Sequence, residues 1–235
     1  MNITREKIFK DLVCVTNIGQ VTPEEELEMA ETLGKVHKPD LNNEYQLKLH
    51  KQLSGGVPGI LHVTEGGLFG HKKALDWHAN KPSEPNRCSI VWIYAVKGSE
   101  GSVTSWIDNK KAYEDLSDEY KEWCERIKFT CGFKKGGYTD DTTFPVHHNK
   151  NNVHNLVYTN EYGQKGLFFP FLQIMDGIPK TLFDYLKNHI LQDKYRYDHH
   201  WKDGDLVVSE QWLTIHKRHS FEKMNERLMH RIAIR

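Results

Sequence analysis

Near its end the chain carries the run Leu228-Met229-His230-Arg231-Ile232-Ala233-Ile234, an apolar stretch with an arginine set into it. Read as a strand, its side chains alternate between two faces, so Arg227, Met229 and Arg231 share one side. Two guanidiniums on a covered face require an anion, because an unpaired buried charge is too costly to keep. The forked, permanently charged guanidinium suits a carboxylate. His216 lies eleven positions before Arg227. The C-terminal region therefore reads as an anion-binding strand downstream of a histidine available to a metal.

A second group lies upstream, in Trp77-His78-Ala79-Asn80. On an extended segment His78 and Asn80 point the same way. A His-x-Asp pair on a strand, joined by a distant histidine, makes the two-histidine, one-carboxylate triad of non-haem Fe(II) sites. Here Asn80 stands at the carboxylate position. Its amide oxygen is neutral and a weaker donor. Three readings follow: Asn80 ligates through its carbonyl, it leaves a coordination position to water or halide, or the chemistry is lost. Asp76 shares the parity of His78 but lies on its other side, and is not read as a ligand.

The chain resembles the taurine dioxygenase family of Fe(II)- and 2-oxoglutarate-dependent oxygenases, on five segments in order. Val21-Thr22-Pro23-Glu24-Glu25 through Leu33-Gly34-Lys35-Val36-His37 is similar to the family's early helix, and Trp77-His78-Ala79-Asn80 to its W-H-x-D motif. Gly101-Ser102-Val103-Thr104-Ser105-Trp106 is similar to G-x-T-x-W. Glu210-Gln211-Trp212-Leu213-Thr214-Ile215-His216 is similar to D-N-R-x-x-x-H, and Arg227-Leu228-Met229-His230-Arg231 to R-x-M-H-R. The resemblance implies a mainly β fold with inserted helices, a double-stranded β-helix or cupin-like jelly roll.

It also implies roles. His78, Asn80 and His216 fall at the positions of the metal ligands. Thr104 and Arg227 fall where the distal carboxylate of 2-oxoglutarate is held, and Arg231 near an acidic group of the primary substrate. The implied activity is oxidation of an aliphatic C–H of a small molecule, with release of succinate and CO2. The alternatives are a halogenase using the vacated carboxylate position for halide, and a catalytically silent relative that binds a small carboxylate.

Length and composition fit this reading. At 235 residues the chain is expected to form a single domain over 1–235. Lys plus Arg and Asp plus Glu are both 32, so nothing favours nucleic acid or an anionic membrane. No run is long and apolar enough to span a bilayer, and the opening residues lack a signal-peptide pattern. Cys14, Cys88, Cys124 and Cys131 show no metal-ligand spacing, which fits a reduced, cytoplasmic setting. A small-molecule substrate is the expected partner, with a homo-oligomer left open.

Periodicity places helices over 24–33, 106–129 and 179–191. Strands are expected over 89–96, 155–159, 167–171, 195–201, 206–209 and 228–234. Thr22-Pro23 reads as an N-cap followed by proline at the first helical position. Glycine-rich loops are expected at 54–59 and 65–70. His147-His148 and His199-His200 are expected to be exposed loop residues, and Trp92 and Trp106 to be packing residues.

Overall fold

The computed structural model describes residues 2–42, 44, 47, 57–64, 74–82, 87–132, 152–220 and 226–235. Segment 65–70, half of the other glycine-rich loop (54–56) and His147-His148 lie outside the described residues. The chain begins with α1 (Arg5–Asp11), β1 (Val13–Asn17) and α2 (Pro23–Glu31). Four strands follow: β2 (Ile60–Thr64), β3 (Leu75–His78), β4 (Ile90–Lys97) and β5 (Val103–Asp108). Two short helices, α3 (Asn109–Glu114) and α4 (Asp118–Glu125), lead to β6 (Lys128–Cys131). Then come β7 (Asn152–Asn155), β8 (Val157–Thr159), β9 (Lys165–Leu167), β10 (Ile174–Asp176) and α5 (Lys180–Ile190). The chain closes with β11 (Arg196–His200), β12 (Asp205–Glu210), β13 (Thr214–Arg218) and β14 (Leu228–Ile234).

Two antiparallel sheets form the body. One runs in the order β1-β12-β4-β14-β2, the other β11-β5-β13-β3. Alternation along the strands decides which residues meet between them. On β4, Ile90, Trp92 and Tyr94 point outward onto α1 and α2, while Ala95 points inward. On β14, Ile232 and Ile234 point outward and Met229 inward. On β5, Trp106 points inward and Ile107 outward, against α3 and α5. Ala95, Trp106, Trp201, Val207 and Met229 thus form a cluster that joins the two sheets. This is the expected jelly roll.

Local chemistry sets the boundaries. Thr22 closes a capping box on α2: its side chain accepts from Glu25 N, and the Glu25 carboxylate accepts from Thr22 N at 2.8 Å. Leu182, Leu186 and Ile190 return on the buried face of α5, as their spacing requires. The helix expected over 106–129 is corrected. Trp106 lies on β5, Asp108 caps α3 through Lys111 N at 2.8 Å, extended Ser117 separates α3 from α4, and Phe129 lies on β6. The capping groups end each helix although the apolar period runs on. The strand expected over 155–159 is two strands parted by the buried Leu156, and that over 167–171 stops at Leu167. His199 and His200 are also corrected: both lie on β11 rather than in a loop, and His199 is buried, with Nε2 3.1 Å from Asp205 Oδ2, while His200 is exposed.

Candidate active site

β13 runs between β3 and β5, and its register fixes the site. His216 lies directly opposite His78 on β3 and opposite Trp106 on β5. Cross-strand partners share a face, so all three side chains enter the space between the sheets. The two imidazole centroids are 4.1 Å apart, and Trp106 stacks on His216 at 6.3 Å.

Both imidazoles are held neutral. Burial pushes the pKa of His78 down to about 4, against a hydrogen bond to the Asp76 backbone carbonyl that raises it, with Arg231 and Arg218 adding to the drop. His216 is pushed well below its ordinary value by burial first, then by His78 and Arg231. His78 Nδ1 lies 2.7 Å from the Asp76 carbonyl, an acceptor, so Nδ1 carries the proton and Nε2 presents its lone pair. His216 Nδ1 and Trp106 Nε1 are shut off from water and have no hydrogen-bond partner among the described residues. A neutral, oriented pair of imidazoles with an orphaned ring nitrogen fits a divalent metal.

Asn80 follows β3 and is gripped from both sides. Arg231 Nη1 donates to Asn80 Oδ1 at 3.0 Å, and Asn80 Nδ2 donates to Gln211 Oε1 at 2.9 Å. A guanidinium only donates, so the amide oxygen must face Arg231. Gln211 is set in turn, because its Nε2 donates to Ser209 Oγ at 3.1 Å. One lone pair of Asn80 Oδ1 is therefore taken by a cation. Among the described residues no group of three or more His, Cys, Asp or Glu could hold a metal. The candidate donors, two imidazoles and an amide oxygen, carry one negative charge fewer than a two-histidine, one-carboxylate triad.

Another wall of the space comes from β5, β13, β14 and the residue that precedes β14. Thr104 is buried, and its hydroxyl oxygen accepts from Trp201 Nε1 at 2.9 Å. Arg227 is buried and its guanidinium lies against Met229 Sδ. Burial pushes the Arg227 pKa down to about 10, with the Arg218 guanidinium as the second cause. Arg231 points to the same space from β14, sharing the face of Met229, as the alternation implies.

Three contributors escaped the sequence reading. Gln211 orients Asn80, and its place in the segment before His216 was the available signal. Arg218 lies two residues beyond His216 on the same face of β13, a signal the strand period contained. Arg87 had none: its guanidinium donates to the Gln211 carbonyl and lies 4.3 Å over the Trp212 ring and 4.4 Å over Phe168. Trp212 occupies the arginine position of the D-N-R-like segment, and Arg87 brings a guanidinium there from elsewhere in the chain. Beside it, Glu210 accepts from Trp212 N at 2.9 Å and Leu213 N at 2.5 Å, and burial raises its pKa to about 7. Trp92 is a packing residue, its indole N–H held by Glu26 at 2.9 Å. The Asp76 carboxylate pairs with Lys217 at 3.1 Å, away from a ligand role.

The model of the taurine catabolism dioxygenase TauD, TfdA family matches residues 9–233. The chain belongs to this family. Two curated relatives are named pentalenolactone F synthase. The one from Streptomyces arenae is 25% identical over 201 residues, 74% of this chain and 67% of its own length. The one from Streptomyces avermitilis is 23% identical over 194 residues, 70% of this chain and 62% of its own. The chain thus spans about two thirds of the length of these relatives.

Solved structures show the same fold. A taurine dioxygenase from Burkholderia xenovorans superposes with a TM-score of 0.78 at 16% identity, over 98% of this chain and 78% of that one. AAD-2, solved with Mn(II) and N-oxalylglycine, superposes with a TM-score of 0.76 at 19% identity, over 97% of this chain and 86% of that one. Within the family's W-H-x-D motif, this member departs at Asn80.

Proposed function

We propose that this member is an Fe(II)- and 2-oxoglutarate-dependent oxygenase that oxidises an aliphatic C–H bond of a small molecule. The observation that carries the reading is the cross-strand pair His78 and His216, buried, held neutral and aimed into one inter-sheet space. His78 and His216 would hold the metal, with Asn80 Oδ1 as a third, weaker donor. The metal with its 2-oxo acid supplies the oxidation of C–H, with succinate and CO2 as co-products. Arg227 and Thr104 would anchor the distal carboxylate of the co-substrate. The Asp76 carbonyl fixes the His78 ring, and the walls of Trp106 and Trp201 keep bulk water out. Arg231 holds Asn80 and would meet an acidic group of the primary substrate. Likeness to enzymes named for making pentalenolactone F supports a small organic substrate.

A second reading is favoured by the hydrogen bond from Arg231 to Asn80 Oδ1. A guanidinium beside two neutral imidazoles and an amide disfavours a cation and suits a silent protein that binds a small carboxylate. Anaerobic titration with Fe(II) and 2-oxoglutarate separates the two. The oxygenase reading expects stoichiometric iron and a visible charge-transfer band. Binding of 2-oxoglutarate with neither iron nor band would establish the silent reading.

A further inference from the structure

Among the described residues β3 is an edge strand; it ends at His78, and Ala79 and Asn80 continue past it. Ala79 is buried, so its N–H and C=O both need partners. One side chain supplies them. Gln173 Oε1 accepts from Ala79 N at 2.9 Å, and Gln173 Nε2 donates to Ala79 O at 3.1 Å. Two residues facing each other in the hydrogen-bonded pair of an antiparallel ladder exchange bonds in the same way. The Gln173 carboxamide thus does for Ala79 what a neighbouring strand does elsewhere. Its orientation is settled, because a backbone N–H only donates and a carbonyl only accepts.

Gln173 is itself fixed. It is buried at the end of the short 3-10 turn Phe171–Gln173, its N–H donates to Pro170 O at 2.8 Å, and its carbonyl accepts from Gly132 N at 2.9 Å. The residue it grips lies between two candidate donors. His78 has other holds, since it pairs with His216 across the ladder and its ring is set by the Asp76 carbonyl. Asn80 lies beyond the ladder, where its N–H and Nδ2 both turn to Gln211 Oε1, at 3.4 and 2.9 Å. Lys81 follows at a φ of 52°, in the left-handed region. That conformation strains a residue with a Cβ and persists only where the surroundings over-determine the backbone.

We propose that Gln173 is a positioning residue of the candidate metal site, fixing the Ala79 backbone so that Asn80 Oδ1 is presented to a cation held by His78 and His216. A neutral donor lacks the long-range pull of a charge, so it contributes only when well placed. The inference rests on the oxygenase reading for the presence of a metal. It adds a residue from outside the motif segments, one to which the family resemblance assigned no role.

The test is an anaerobic titration of the full chain with Co(II), without co-substrate, followed by visible absorption. Wild type, Gln173→Met, Asn80→Ala and the double variant form a mutant cycle. Methionine keeps the reach of glutamine and removes both hydrogen bonds to Ala79. The proposal expects Gln173→Met to weaken Co(II) at least about tenfold, as loss of an outer-shell partner does. In the Asn80→Ala background the same change should matter by no more than about twofold, the scatter of independent sites. The absorption bands of Gln173→Met should move towards those of Asn80→Ala. A side chain that only supports the fold would lower affinity equally in both backgrounds, and that result overturns the proposal. Unchanged affinity in Gln173→Met overturns it as well, and leaves the oxygenase reading standing. Should Gln173→Met fail to fold, Gln173→Asn, which draws the amide back by one methylene, goes through the same cycle with the same expectations. Wild type that binds no Co(II) brings down both the proposal and the oxygenase reading.

Discussion

The two ends of the inter-sheet space are built on opposite electrostatic terms. At the metal-facing end, two neutral imidazoles meet a neutral amide, and charge is scarce. At the other end two guanidiniums, Arg218 and Arg227, are buried, Arg218 opposite Thr104 across β13 and β5, and Arg218 adds to the lowering of the Arg227 pKa. Arg231 bridges them by donating to Asn80. The contrast teaches that one substitution acts on only one end. Under the proposed function, an amide at position 80 would weaken the hold on a cation and leave the residues proposed for the carboxylate unchanged. Metal affinity and co-substrate affinity should therefore be separable by mutation.

The largest effect is expected at the histidines. His216→Ala should lower Fe(II) affinity more than about 100-fold, beyond the 10–100-fold usual for outer-shell partners. Metal titration checks it, and retained iron would break the contrast at once. Arg227→Ala should act at the other end. Truncating a buried charge partner costs about 2–5 kcal/mol, so 2-oxoglutarate affinity should fall roughly 30-fold or more while iron binding in its absence holds.

Acid should expose the neutral histidines in the metal-free protein. The folded-state pKa of His78 is lowered to about 4 from 6.5, so its contribution is present above about 6.5 and lost as pH falls towards about 4. The limit is on the order of 3 kcal/mol. Thermal unfolding of wild type should fall more steeply than that of His78→Gln across this window, and parallel curves would contradict the assignment. The smallest effect belongs to the scaffold. Thr22→Ala removes half of the α2 capping box and should cost about 1 kcal/mol in urea unfolding. Neither ligand affinity should move, which makes it the control for the other variants.

Much of the site could be read from sequence because strand parity carries it. The period-two rule placed Arg231 on the face of Met229 and put His78 on the parity of Asn80. The N-cap of α2 was visible as Thr22-Pro23, and the structure adds Glu25 to make it a capping box. What stayed hidden depends on which strands become neighbours. That Arg218 faces Thr104 is a property of the β13–β5 register, and nothing local in either segment encodes it. Arg87 over Trp212 joins residues far apart in the chain. The helix boundary at Asp108 was missed for another reason. The apolar period runs through it, and the side chain's hydrogen bond to Lys111 N outweighs the period.

The central claim is that Asn80 leaves the metal end one negative charge short while the carboxylate end stays complete. The direct measurement is anaerobic Fe(II) affinity of wild type and Asn80→Asp, each with and without saturating 2-oxoglutarate. A carboxylate beside a divalent cation strengthens its binding, partly offset by the Arg231 guanidinium already at that position. The account predicts at least about a tenfold gain in Fe(II) affinity, about 1.4 kcal/mol, with metal-free 2-oxoglutarate affinity unchanged. Equal or weaker iron binding in Asn80→Asp would contradict it.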